Sequence, residues 1–385
     1  MRVSIVTRIF APEASAASFR LGTLAKSFAR AGHSVSVKTV LPPRALRGTA
    51  KDSGNPFPIT RFPVLRDRSG YVRGYLQYLS FDVPLFFRVL LGPKQDLFIV
   101  EPPPTTGFFV RLAAALRRTP YAYYAADVWS DAAASTGASP AVVRVVRAME
   151  RFAMSGASQV LSVNAGVTDR VRSIAPRSTV VTVGNGVDTE VFNAEGEGAL
   201  DGKVAIYPGT ASEWQGAVIF IEALEQILPE VPEAKIVFLG QGSDWPALQE
   251  RSASLPPGSV VFTPSVPPEQ AAVLMRGAAT TLASLRPGTG YEFAFPTKVF
   301  ASWGCGTPVI YSGPGPAREF MSTHASEARL GIACEYEVGK VADALRQVFT
   351  EEHAGADERQ RTSEWASRNV SLDAVAARVI QAVAL

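Results

Sequence analysis

The sequence predicts an α/β protein of two successive doubly wound halves. Three observations predict it. Short β-branched runs recur along the chain, and loops and helical stretches alternate with them in the order of βαβ units. The series is interrupted once, at Gly184-Asn-Gly-Val-Asp-Thr-Glu-Val-Phe-Asn193 and the polar, glycine-rich stretch 194–202, and starts afresh at Val204. The length of 385 residues suits two domains, each large enough to bury its own core.

In the first half, residues 3–7 read as a buried strand and residues 19–31 as a helix with Leu21, Leu24, Ala25 and Phe28 on one face. Gly32 closes that helix before a strand at 34–40, and parallel strands joined in this way cross over right-handedly. Residues 42–63, rich in Pro, Gly and Arg, read as a long surface loop, with a strand at 61–65. Helices at 75–91, 105–116 and 141–157 alternate with strands at 96–101, 120–126, 159–163 and 180–183. Asn164 caps a helix that starts at Ala165. The stretch from Asp127 to Pro140 reads as a small-residue segment. In the second half, strands are expected at 204–207, 235–239, 260–263, 279–285, 307–311 and 332–335. Helices are expected at 217–228, up to about 255, and at 267–275, 298–303 and 338–351, with a helical rhythm from Ser363 to the end.

Composition narrows the function. With 47% hydrophobic and 19% charged residues the chain is globular, and a net charge of +3 gives no footprint for nucleic acid. Two cysteines, Cys305 and Cys334, form neither a zinc pattern nor a disulfide framework, and the three histidines are widely spaced, so no metal site is expected. The first residues read as a strand and not as a signal peptide, and no apolar run approaches the ~18 residues that a membrane span needs. A cytoplasmic setting fits.

The chemistry concentrates in residues 286–310. Gly288 and Gly290 give a supple loop, Pro296 suits a helix start, Thr297 is a possible cap, and Lys298 stands in the first turn. Such a loop gathers free N–H groups and suits a phosphate, with Glu292 beside it to hold a sugar hydroxyl; it reads equally as an ordinary strand-end loop. After the first strand, Glu13, Ala14, Ser15 and Ala16 form a small-residue loop that admits a phosphate or sugar, or simply packs. Asp127, at a strand's carboxyl end, is a site candidate or a turn aspartate. Arg66, Arg68, Tyr71 and Arg73 belong to a basic, aromatic stretch that fits an anionic membrane surface, or a solvated loop ahead of a core helix.

Taken together, these segments resemble the retaining glycosyltransferases of the two-Rossmann, GT-B type, and most of all family four of the glycosyltransferase classification, including its bacterial members that act on lipid-linked or small-molecule glycans. The likeness rests on Val3-Ser-Ile-Val-Thr…Pro12-Glu…Arg20-Leu…Leu24-Ala…Gly32-His33, on Gly184-Asn-Gly-Val-Asp-Thr-Glu-Val-Phe192, on Gly209-Thr…Gln215-Gly216, and on Pro296-Thr-Lys-Val-Phe…Gly304-Cys-Gly-Thr-Pro-Val-Ile310. It implies an acceptor-binding, Rossmann-like N-terminal domain at 1–183, a nucleotide-sugar domain at 184–362 across a cleft, and a C-terminal helix, about 363–385, returning to the first domain. It implies no cofactor and no metal. By position it gives catalytic roles to Asp127 and Glu292. Donor contacts fall to Gly209, Thr210, Gln215, Gln241, Gly242, Thr263, Val266, Arg286, Phe293, Ala294 and Lys298. The chain departs from the family pattern at three places. Thr210 and Gln215 stand where many members carry Arg and Lys, Ala301 stands where a ribose-binding glutamate falls, and Glu292 is one residue off the usual spacing to it.

The expected activity is therefore metal-independent, retaining transfer of a sugar from a nucleotide-diphospho sugar, UDP-linked in the first instance, to a lipid-linked saccharide or small-molecule acceptor, at the inner face of the cell membrane where the acceptor is a lipid. A catalytically weak partner subunit of the same fold is the rival reading, and a nucleotide-sugar epimerase the third.

Overall fold

The computed structural model describes residues 1–385 apart from 14, 51, 68, 69, 71, 73, 136, 352–354 and 385. The chain divides into two compact units, one of Met1–Gly184 with Leu372–Leu385 and one of Asn185–Ser371.

The first unit holds seven parallel strands, β1 (Arg2–Val6), β2 (Ser34–Val40), β3 (Ile59–Phe62), β4 (Leu97–Val100), β5 (Tyr121–Ala125), β6 (Gln159–Ser162) and β7 (Val180–Thr182), in the order β3-β2-β1-β4-β5-β6-β7. Val3 is in register with Val35 on one side and Leu97 on the other. The central strands β4 and β5 are buried at every residue, as strands covered on both faces must be, while the edge strands β3 and β7 are not. The winding reverses between β1 and β4, so the crevice of this sheet lies at their carboxyl ends.

The second unit repeats the plan with β8 (Val204–Thr210), β9 (Lys235–Gln241), β10 (Val260–Pro264), β11 (Thr280–Ser284), β12 (Val309–Ser312) and β13 (Gly331–Cys334), all parallel, in the order β10-β9-β8-β11-β12-β13. Its switch point lies between β8 and β11. Phe220, Leu224, Ile236, Phe238 and Leu345 fill one apolar cluster, and Ile206, Leu239, Met275 and Cys305 another.

Four local expectations are corrected. The strand expected at 61–65 is Ile59–Phe62, and part of the loop before it winds into a 3-10 turn at Arg44–Thr49. The segment after Asp127 contains a helix, Trp129–Ser135. Its first amides, Trp129 N at 2.8 Å and Ser130 N at 3.3 Å, donate to the carboxylate of Glu150, some twenty residues away, a cap that local sequence cannot reveal. Thr297 makes no side-chain capping bond. The terminal rhythm is two helices, Ala356–Val370 and Leu372–Val383, and not one. The helix breaks because the Val370 carbonyl accepts from Val187 N at 3.0 Å and Ser371 forms a parallel bridge with Val187. Trp365, Ala366 and Val370 are buried with Trp303 in the second unit. The last helix belongs to the first unit, where Asp373 pairs with Arg30 and Arg378 Nε donates to Val183 O at 2.7 Å.

Candidate active site

The switch point of the second unit is built mainly by two loops. The chain leaves β8 through Gly209 and Thr210, and Ala211 N donates to Gln241 O at the end of β9, 2.9 Å away. The two backbones then run so close that a Cβ at Gly242 would fall within the Ala211 carbonyl, so only glycine fits. The β11 loop is fastened to the β8 loop by Arg286 N, which donates to Trp214 O at 3.0 Å, and by the Tyr291 ring stacked on Trp214 at 4.8 Å. Tyr336 Oη donates to Gly216 O at 2.6 Å and ties the far end of the β8 loop.

Lys298 stands where these loops meet. Its ammonium lies 3.3 Å from the Tyr207 ring centroid and donates to Thr210 O at 3.3 Å. It is half-buried, and among the described residues no carboxylate forms an ion pair with it. Desolvation holds its pKa well below the ordinary lysine value. A cation kept in a crevice without a counter-charge is a receptor for an anion.

Glu292 is held by its own loop. Its Oε1 accepts from Thr289 N at 3.0 Å and Gly290 N at 3.3 Å. Desolvation works against its charge, but bonds from the backbone N–H groups of Glu292, Gly290, Gly288 and Thr289 outweigh it and hold the carboxyl below its usual range. The carboxylate therefore shapes the glycine loop, and two loop amides are already satisfied by it.

The other expected donor residues divide into two groups. Gly209, Thr210, Gln241, Gly242, Arg286, Phe293 and Ala294 all lie in the loops or strand ends beside Lys298. Arg286 is exposed, and Ala294 N is taken by Tyr291 O at 2.9 Å. Gln215 is 6% exposed, and its Oε1 accepts from Ser212 N at 3.0 Å, so its side chain braces the β8 loop from within. Thr263 and Val266 lie at and beyond the end of β10, two strands from β8 and so roughly 10 Å across the sheet. Ala301, where a ribose carboxylate was considered, is 8% exposed and belongs to the apolar cluster of Val204, Ile206 and Leu239.

In the first unit the crevice between β1 and β4 is lined by buried charge. Arg20 and Glu101 pair at 6% side-chain exposure each. Desolvation opposes the Arg20 charge, and Glu101 more than offsets it. Asp82, fully buried, accepts from Thr106 Oγ1 at 2.7 Å. Arg8, 8% exposed, lays its guanidinium on the Tyr78 ring at 3.7 Å. Arg8, Asp82 and Glu101 escaped the sequence reading; the one available signal was their position just beyond strands or in the helix beside them. Asp127 is exposed, with Oδ1 accepting from Val128 N at 2.8 Å; desolvation raises its carboxyl pKa and the charge of Asp131 adds to that. Asp131 itself is occupied by Arg170 at 2.6 and 2.7 Å.

Of the small-residue loop, Ser15 caps the helix Ala16–Arg30 by accepting from Ser18 N at 3.1 Å, and Ala16 opens that helix. Glu13 forms a two-pronged pair with Arg66 at 3.1 Å in each arm. Arg66 also donates to Gly70 O and Leu41 O, at 2.7 and 2.6 Å, so its side chain is anchored and little exposed. Ala14, Arg68, Tyr71 and Arg73 lie outside the described residues. Among the described residues no group of three or more His, Cys, Asp or Glu is placed to hold a metal ion.

Two doubly wound α/β units, each with a polar crevice at its switch point, define the class of protein. Residues 16–186 match the model of the glycosyl transferase 4-like domain, and residues 202–351 that of glycosyl transferases group 1. The two matches lie in succession along most of the chain, which belongs to the glycosyltransferases of GT-B architecture. No curated protein matches the sequence. Among solved structures, the fold is similar to a sucrose-phosphate synthase from Thermosynechococcus elongatus, at a TM-score of 0.72 and 15% identity, covering 100% of this chain and 98% of that one. It is similar to a glycosyltransferase from Rickettsia africae, at 0.69 and 13%, covering 99% and 97%. An α,α-trehalose-phosphate synthase (UDP-forming) from Burkholderia xenovorans gives 0.66 and 13%, covering all of both chains, 100% and 100%. At these identities the likeness is one of fold.

Proposed function

We propose that the chain transfers a sugar from a nucleotide-diphospho sugar, bound by the second unit, to an acceptor bound by the first, as a member of family four. The observation that carries this is Lys298, a half-buried ammonium with no carboxylate partner among the described residues, at the carboxyl edge between β8 and β11. The donor diphosphate is the anion that it receives, and the exposed Arg286 on the neighbouring loop is a second cation available to it. No metal is required in this reading, because the side-chain cations and loop amides meet the charge. UDP is the expected leaving group, and the UDP-forming enzyme of the same fold supports it. Transfer proceeds with retention. The acceptor hydroxyl attacks the anomeric carbon on the face that the leaving phosphate vacates, the carbon–oxygen bond to phosphate breaks, and the proton passes to a phosphate oxygen.

The acceptor is a lipid-linked saccharide, and the protein works peripherally at a membrane surface. The helix Tyr75–Leu91 supports this. It buries Phe81, Leu85 and Val89, yet leaves Leu76 71%, Phe87 52% and Leu91 80% exposed, with Leu79 and Val83 between them on the outer face. No helix of the described residues is long and apolar enough to cross a membrane.

The test is thermal stability against UDP, GDP, ADP, dTDP and CMP, with and without a chelator, followed by transfer from sugars of the binding nucleotide. A nucleotide at 100 times its dissociation constant stabilises by about 2.7 kcal/mol. Unchanged stability with every nucleotide would refute the donor site. That result would favour the rival reading of a weak partner subunit, which the inward-folded Gln215 and the apolar setting of Ala301 support.

A further inference from the structure

Among the described residues, several cations at or near the carboxyl edge of the first sheet have a carboxylate partner. Arg20 has Glu101, Arg61 has Asp52, Arg66 has Glu13 and Arg170 has Asp131. Arg8, two residues beyond the end of β1 and beside the switch point, makes no hydrogen bond and no ion pair with the described residues. Its Nε and Nη1 are buried and unpartnered. Leaving buried donors of a charged group unsatisfied is costly, so a native fold keeps such a group where something else supplies the acceptors.

We propose that Arg8 is the seat of a phosphate group carried by the molecule that the first unit binds. The proposal rests on the reading of this unit as the acceptor side, and it adds the chemical class of the acceptor, a phosphoester. A guanidinium offers a planar fork that matches two phosphate oxygens, and the Tyr78 ring holds that fork in place from one face. The Tyr123 hydroxyl, fully buried and unpartnered, lies within the electrostatic field of Arg8. The one acidic side chain that acts on Arg8 is Asp82, which stands beyond ion-pair distance and is engaged by Thr106. Burial raises the Asp82 carboxyl pKa, with Arg8 and the bond from Thr106 opposing, and its second oxygen, Oδ2, is buried without a partner. The residue keeps 8% exposure, so it is not sealed from outside.

A second basic surface of the same unit, a cavity of about 350 Å³ lined by Arg44, Arg47, Arg66 and Asp67, is the natural competitor. There Arg66 already has its carboxylate, and Arg44 and Arg47 are exposed, where a cation is hydrated at little cost.

The experiment titrates the full chain with inorganic phosphate by calorimetry, for wild type and Arg8→Met, with UDP titrated in parallel. The expected result is at least tenfold weaker phosphate binding in Arg8→Met with UDP affinity unchanged. Equal phosphate affinity in the two proteins, or no phosphate binding by wild type, overturns the proposal. Failure of wild type to bind UDP would instead strike the donor reading, and the phosphate titrations are repeated in a Lys298→Met background so that the donor site does not answer for Arg8. Vesicles containing phosphatidic acid assign the source: binding lost in Arg8→Met places the phosphate on a lipid, and binding retained while inorganic phosphate is lost places it on a soluble phosphoester, both with the seat intact. Should Arg8→Met not fold, crystals of wild type soaked in tungstate decide. An anomalous peak within hydrogen-bond reach of the Arg8 guanidinium supports the seat, and a peak confined to the Arg44–Arg47 cavity overturns it.

Discussion

Replacing Lys298 with Met tests the donor site and gives a two-sided signature. The ammonium stands over Tyr207 and against Thr210 O with no carboxylate partner among the described residues, so the empty protein carries its desolvation uncompensated. Methionine keeps most of the side-chain length, can rest on the Tyr207 ring and removes that penalty. The variant without nucleotide is therefore expected to be at least as stable as wild type. A diphosphate, by contrast, loses its cation. Unit charges ~4 Å apart at an effective permittivity of ~20 attract by about 4 kcal/mol before the phosphate's desolvation is subtracted. Measured hydrogen bonds to charged groups contribute about 1.5–3 kcal/mol, which is roughly 10- to 100-fold in affinity. Calorimetric titration should show that loss for UDP and none for uridine. There is also a pH signature. Lys298 gives up its proton in the folded state below the ordinary 10.5, whereas the unfolded chain holds it up to that value. In that alkaline window the unfolded state binds more protons, so stability rises with pH. Subtracting the Lys298→Met curve from that of wild type should leave that rise. Equal losses for UDP and uridine, or a variant markedly less stable without ligand, would refute the reasoning, because both would make Lys298 a structural residue.

Gly242→Ala forces a Cβ into the Ala211 carbonyl and should destabilise by about 1–3 kcal/mol while weakening nucleotide binding; a thermal scan with and without UDP checks both, and an unchanged midpoint would show that the loops can part freely. Glu101→Leu leaves Arg20 buried without its partner and should cost about 3–5 kcal/mol in urea unfolding. The double change with Arg20→Met should recover most of it, and a single change that is nearly neutral would contradict the pairing. Leu76, Leu79, Val83 and Phe87 all changed to Ser should release the protein from vesicles and leave UDP affinity intact, because all four side chains are exposed; vesicle binding that survives would remove the support of this helix for a membrane acceptor.

The sheets were legible because their central strands are apolar runs set between loop signals, and two such series imply two doubly wound halves whatever the detail. Legibility fell wherever a distant group decides the local structure. The helix Trp129–Ser135 is a short run of small residues whose cap is the carboxylate of Glu150. The break at Ser371 follows from Val187, far back in the chain. The donor loop illustrates the same limit at the site. The sequence set Glu292 beside a glycine loop and Lys298 in the first turn of the helix that follows, yet their environments are opposite. The Glu292 charge is met by amides of its own loop, while Lys298 rests on the Tyr207 ring, donates to the Thr210 carbonyl and has no carboxylate partner among the described residues. Arg66 was read as a surface cation and is anchored by Glu13, fifty-three residues earlier in the chain. Spacing shows where a charge stands along the chain, and only packing shows whether it is already answered.

That distinction separates the two crevices. In the second unit the walls are backbone and glycine, held at close approach by Gly242 and by the Trp214–Tyr291 stack, and one lysine supplies the charge. Backbone walls offer fixed dipoles to an anion. In the first unit the walls include one buried ion pair, Arg20 with Glu101, and a buried carboxylate, Asp82, that accepts from Thr106, beside Arg8 with its unpartnered nitrogens. Buried pairs of this kind add little net stability over apolar packing, but they fix geometry, since any displacement leaves a charge uncompensated. A rigid polar wall with one open cation suits recognition of a particular substituent on the acceptor, where a change of one group should be felt strongly. A backbone cradle suits a ligand whose recognised part, a diphosphate, is common to many donors. Acceptor choice should accordingly respond sharply to substitutions around Arg8, and donor affinity more gradually to substitutions in the β8 and β11 loops other than Lys298 and Gly242.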